Sequence, residues 1–73
     1  MVLRDAPEGF EGEIVKIKAP SLLKKRLLEL GFLPGRSFKV IRNAPLKDPL
    51  EVEIMGYFLA IRKEEARYIL VKP

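Results

Sequence analysis

Residues 27–35 read Leu27-Leu28-Glu29-Leu30-Gly31-Phe32-Leu33-Pro34-Gly35, a leucine-rich segment running into an apolar loop bracketed by two glycines. Upstream, Ser21 follows Ala19-Pro20 and can offer its hydroxyl to the free amides of a first helical turn. The spacing predicts one helix over 22–30, with Ser21 as its N-cap and Gly31 as the left-handed residue that ends it. At 100° per residue Leu23, Leu27 and Leu30 fall within about 60° of one another and form the core stripe. Leu22 and Leu28 lie off that stripe, and Leu28 falls between Lys24 and Lys25, so both are expected at the surface. Pro34-Gly35 occupies the central positions of a type II turn, where proline presets φ and glycine accepts a positive φ.

Outward from this stretch the patterning changes period. Residues 12–18, GEIVKIK, are β-branched and stop at Ala19-Pro20. Strands are also expected at 37–42, with Phe38 and Val40 on one face, and at 50–54, where Leu50, Val52 and Ile54 alternate with Glu51 and Glu53. Residues 43–49 form a proline-bounded loop. Gly56 turns the chain into a fourth strand, 57–62, in which Tyr57 or Phe58 must face inward. A helical turn at 63–66 precedes a fifth strand, 68–71. Five short strands and one helix in 73 residues predict a mainly β fold: a strongly bent sheet closed as a small barrel, since closure removes exposed edges. The helix is inserted after the first strand, and residues 1–73 make a single domain.

Composition narrows the function. The chain lacks His, Cys, Thr, Gln and Trp, and has only Ser21 and Ser37 as hydroxyl nucleophiles. Neither serine has a histidine base to activate it, so an enzyme is not expected. Phosphate-binding glycine motifs are missing: the residue after Gly35 is arginine, and this loop follows a helix instead of opening one. Glu51 and Glu53 share a strand face about 7 Å apart, two oxygen donors where a hard cation needs about six, so no cofactor or metal is expected. A short chain without disulfides holds its core with little margin. Few amides and thiols among many Lys, Arg and Glu suggest a heat-adapted source. With no run of 18 apolar residues and no secretory h-region, membrane insertion is not expected and a cytoplasmic location is. The net charge is +4, and Lys24-Lys25-Arg26 is the only dense basic cluster.

The ordered set Pro7-Glu8-Gly9, Gly12, Ile14, Ile17, then Arg26-Leu27-x-x-Leu30-Gly31-Phe32-x-Pro34-Gly35-x-x-Phe38-x-Val40, resembles the FeoA family. It continues through Ala44-Pro45, Asp48-Pro49, Val52-x-Ile54-x-Gly56, Leu59-Ala60-Ile61-Arg62 and Ala66-x-x-Ile69-x-Val71. That resemblance implies an SH3-like barrel acting as an accessory protein of bacterial ferrous-iron uptake. Its implied partner is FeoB, a membrane transporter with a cytoplasmic GTP-binding domain. The same module also ends iron- and manganese-dependent repressors; a chain starting at Met1 with no helix-turn-helix region favours the free-standing form. On the residues themselves, Gly31, Pro34, Gly35 and Gly56 are structural turns. Leu22, Lys24, Lys25, Leu28, Phe32 and Leu33 are candidate partner contacts, with Phe32 alternatively a core plug over the barrel end. Apolar groups rimmed by charge are what a partner site presents. A nucleic-acid-binding barrel, with salt-sensitive affinity, and a homo-oligomer built on the leucines are the two alternatives.

Overall fold

A computed structural model describes residues 1–73. A 3-10 turn, Leu3–Asp5, leads into β1 (Glu11–Ile17), followed by α1 (Ser21–Leu30), β2 (Ser37–Arg42), β3 (Leu50–Ile54), β4 (Tyr57–Ile61), α2 (Lys63–Ala66) and β5 (Ile69–Lys72). The strands form one antiparallel sheet in the order β4-β3-β2-β1-β5. Fifteen apolar residues, drawn from every strand, from both helices and from the 3-10 turn, make one core with no buried charged side chain.

Two irregularities bend the sheet. The register of β1 against β5 shifts between Ile14 and Lys16, and that of β2 against β3 between Val40 and Arg42. An extra residue in one strand increases local twist and breaks the two-residue alternation. This is why Ile14 and Ile17, three residues apart, are both buried while Val15 is exposed. Elsewhere the alternation holds: Phe38 and Val40 on β2 and Leu50, Val52 and Ile54 on β3 all face the core.

The barrel is not completed by strand pairing. β4 and β5 end the sheet without a ladder between them. The carbonyl of Leu30, ending α1, accepts from Tyr57 Oη on β4 at 3.3 Å. Leu23, near the start of α1, lines a hollow with Arg62, Glu64, Glu65 and Tyr68, the segment between β4 and β5. The outer edge of β5 is covered by the N-terminal segment, where Val2 bridges Leu70 and the Val71 N–H donates to the Met1 carbonyl at 2.8 Å. Asn43 anchors the same segment: its Nδ2 donates to the carbonyls of Arg4 and Ala6 at 2.9 and 2.7 Å.

The helix starts one residue earlier than its sequence predicts. Pro20, at φ −55° and ψ 153°, is the N-cap, Ser21 is already helical, and no side chain caps the first turn. Proline supplies the extended half-turn by its fixed φ and its carbonyl accepts from the Lys24 N–H at 2.8 Å, so the serine cap is not needed. At the other end Gly31 adopts φ 118°. Its N–H donates to the Leu28 carbonyl at 3.0 Å and the Phe32 N–H to the Leu27 carbonyl at 3.1 Å. These are the two reversed bonds of a Schellman ending, which swings the following side chain back over the helix. Phe32 and Leu27 are accordingly both fully buried.

Candidate interaction surface

The loop after α1 is built by local chemistry. Gly35 has φ 87° and the Arg36 N–H returns to the Leu33 carbonyl at 3.1 Å, as a type II turn requires. Arg36 Nη1 donates to the Gly31 carbonyl at 3.4 Å, placing a cation at the negative end of α1. Gly56 makes its turn with an unexpected companion. Met55 also has positive φ (53°, against 82° for Gly56), so the β3–β4 connection is a two-residue turn of the primed kind that matches strand twist.

The six candidate contact residues separate into three groups. Leu22 is 85% exposed and Lys24 and Lys25 are exposed beside it, neither lysine forming an ion pair. Leu33 is 37% exposed in the loop. Phe32 has no accessible surface and is a core residue, which removes it from any contact surface. Leu28 is half-buried and packs on the core, against the expectation of a surface position. A wheel with one buried stripe assumes a helix lying on a flat face. Leu28, flanked on the wheel by the exposed Lys24 and Lys25, reaches the core although it lies off that stripe. Leu22 and the loop leucine are also separated by the length of the helix, about 12 Å from the first to the last turn. They do not form one apolar patch.

What remains is a helix face carrying Ser21, Leu22, Lys24, Lys25, Arg26 and Glu29, all exposed. Arg26 is held across to α2 by Glu65 at 2.6 Å. A single protruding leucine among free lysines is a surface suited to an apolar notch with an acidic rim. At the opposite end of the helix, Leu33 lies in the same loop as the exposed Pro34 and Gly35. Exposed apolar residues are also found on the β3–β4 hairpin, at Met55, Tyr57 and Phe58, and in the loop at Leu46. Alternation puts Tyr57 on the same side as Ile61, but at the strand's first residue, where the core no longer covers it.

The strand carboxylates have other duties. Glu51 pairs with Arg42 at 3.4 Å, and Glu53 lies opposite Lys39, giving cross-strand charge pairs on the solvent face. No three His, Cys, Asp or Glu side chains come together where they could hold a metal ion. No helix is long and apolar enough to cross a membrane.

Comparison with known proteins agrees with this architecture. The model of the FeoA domain matches residues 1–73. A fusion protein of Porphyromonas gingivalis, named Fe(2+) transport protein A/Fe(2+) transporter FeoB, is 36% identical over 99% of this chain, which spans 8% of that relative's length. Among solved structures, an iron uptake regulatory protein (FeoA) superposes with a TM-score of 0.91 at 25% identity, covering 99% of this chain and 95% of the other. The zinc complex of Stenotrophomonas maltophilia FeoA, described as a prokaryotic SH3 domain protein, gives 0.85 at 26% identity, covering 99% and 89%. The mainly β, SH3-like fold expected from the sequence is the fold of these neighbours.

Proposed function

Because the chain belongs to the FeoA family, we propose that it is a cytoplasmic accessory domain of ferrous-iron uptake that binds a FeoB-type membrane transporter and modulates it by protein–protein contacts. The observation that carries this reading is the fusion relative, in which a domain 36% identical to this chain is covalently joined to such a transporter. Two modules in one chain meet at high effective concentration, and a separate domain of the same kind must find its transporter by affinity. The contact surface we assign is the solvent face of α1, with Leu22 as the apolar anchor and Lys24 and Lys25 as its charged rim, extended at the far end by Leu33.

Leu22→Glu tests this without touching the core, because the side chain is already 85% exposed. Loss of a central anchor costs at least about 1.4 kcal/mol, so binding of the whole chain to the transporter's cytoplasmic GTP-binding domain is expected to weaken about tenfold or more. Titration calorimetry with and without guanine nucleotide reads this directly, with an unchanged melting curve as the folding control. Wild-type affinity in the variant would place the contact elsewhere. Leu28→Glu is the wrong variant for this purpose, since it puts a charge against the core.

A further inference from the structure

One strand edge in the molecule is left unpaired. β4 ends the sheet, and none of Tyr57–Ile61 makes a backbone hydrogen bond outside the β3–β4 ladder. At a two-residue hairpin the residues closing the turn, Ile54 and Tyr57, exchange their bonds, and alternation turns Leu59 and Ile61 toward β3 as well. The N–H and C=O groups of Phe58 and Ala60 therefore point to the free edge. Edge strands are ordinarily protected by charge, proline, a bulge or a covering segment. β5 has its N-terminal cover; β4 has no charged residue, no proline and no bulge against β3.

We propose that this edge pairs with the same edge of a second copy of the chain, antiparallel, about a two-fold axis at Leu59. In that register Phe58 of each copy stands opposite Ala60 of the other, and the two outward pairs exchange four hydrogen bonds. The pairing is complementary in size. Phe58 is 64% exposed on the outer face of the sheet, and the small Ala60 on the same face leaves room for its ring. It is also free of like-charge conflict. The nearest carboxylates, Glu51 and Glu53, are one strand back, so those of the two copies lie about 14 Å apart at the spacing of strands, beyond the Debye length in physiological salt. Since each chain has one open edge, the assembly closes at two copies and does not grow into a filament. A five-residue edge is a small interface, so the dimer is weak and dependent on concentration. This surface is separate from the α1 face, and the proposal stands or falls independently of the transporter reading.

Sedimentation equilibrium over a concentration series is expected to show the mass rising from 8.4 kDa toward twice that value. Phe58→Lys keeps the mass at one copy throughout. That lysine faces Glu53 across the β3–β4 ladder, an attractive pair, so the fold is retained. Ala60→Lys, facing Glu51, reads the same loss should the first variant melt early. The register is tested by Leu59→Cys in a chain that has no cysteine. Opposed non-hydrogen-bonded residues have Cα atoms about 4.5 Å apart, within disulfide range. L59C is therefore expected to form a covalent dimer on mild oxidation well ahead of L22C. A single-copy mass up to about 1 mM, on the weak-dimer scale of small interfaces, overturns the proposal. So does a doubling that survives both lysine variants, or an L59C chain that cross-links no faster than L22C. A free edge that takes an extended segment of a different protein instead would show itself as the first of these results.

Discussion

Phe32→Ala is expected to leave about half of the protein unfolded at 25 °C. The ring has no accessible surface, and its place is set by the Schellman ending of α1, which turns residue 32 into the core at the only point where the helix and β2 are joined. Removing a buried phenylalanine costs about 3–5 kcal/mol, the sum of lost transfer energy and an unfilled cavity. A core in a chain of this length rarely supplies more than about 3–5 kcal/mol in total. The two quantities are equal in size, so the substitution uses up the whole margin. Urea denaturation followed by circular dichroism checks this. A midpoint lowered by less than a fifth would show that the helix ending does not depend on its aromatic residue. Phe32→Leu, which keeps most of the volume, is expected to retain a cooperative transition.

The second large effect falls on a glycine that makes no turn. Gly12 is the second residue of β1, opposite Phe38 on β2 and next to the Glu13–Lys72 pair with β5. A Cβ built there lies inside the Lys72 carbonyl oxygen and 2.7 Å from the Phe10 ring. The ring can move; the carbonyl belongs to the β1–β5 ladder and cannot move without breaking it. Gly12→Ala is therefore expected to cost about 3 kcal/mol, at the upper end of overpacking effects. Gly35 is the useful contrast. Nothing lies within 4 Å of its Cβ position, so Gly35→Ala pays only for its φ of 87°, about 1–2 kcal/mol. Melting curves for the two variants should rank Gly12→Ala well below Gly35→Ala. The reverse order would mean that backbone conformation, not close approach of strands, fixes the glycines in this fold.

These two residues also mark how far the sequence could be read. The ending of α1 was legible because every part of it is local: Gly31, Phe32 and Pro34-Gly35 act on neighbours within five residues. β3 was legible because Leu50, Val52 and Ile54 keep a strict period of two. Gly12 appeared only as the start of a β-branched run and as one position of a family pattern, because its constraint comes from Lys72, at the far end of the chain. The bulge at Val15 was invisible for a related reason. A register shift is a relation between two strands, and Ile14 and Ile17 look out of phase until β5 is placed beside β1. Asn43, the chain's single asparagine, gave no local sign of holding Arg4 and Ala6, which are 39 and 37 residues away.

The proposed contact surface was legible to the same extent. The helical wheel placed Leu22, Lys24 and Lys25 in solvent, where they are. It failed for Leu28, which packs on the core, because a wheel carries no information about what lies beside a helix. It gave no notice of Met55, exposed in the β3–β4 turn, or of Phe58, exposed on the outer face of the sheet.

The most direct test of the central claim is ferrous-iron uptake into proteoliposomes carrying the cognate transporter, measured with increasing amounts of this protein on the cytoplasmic side. The predicted result is an uptake rate that changes and then saturates as the domain is added, with the response shifted to about tenfold higher concentration for Leu22→Glu. An uptake rate indifferent to saturating wild-type protein, in the presence of guanine nucleotide, would contradict the assignment.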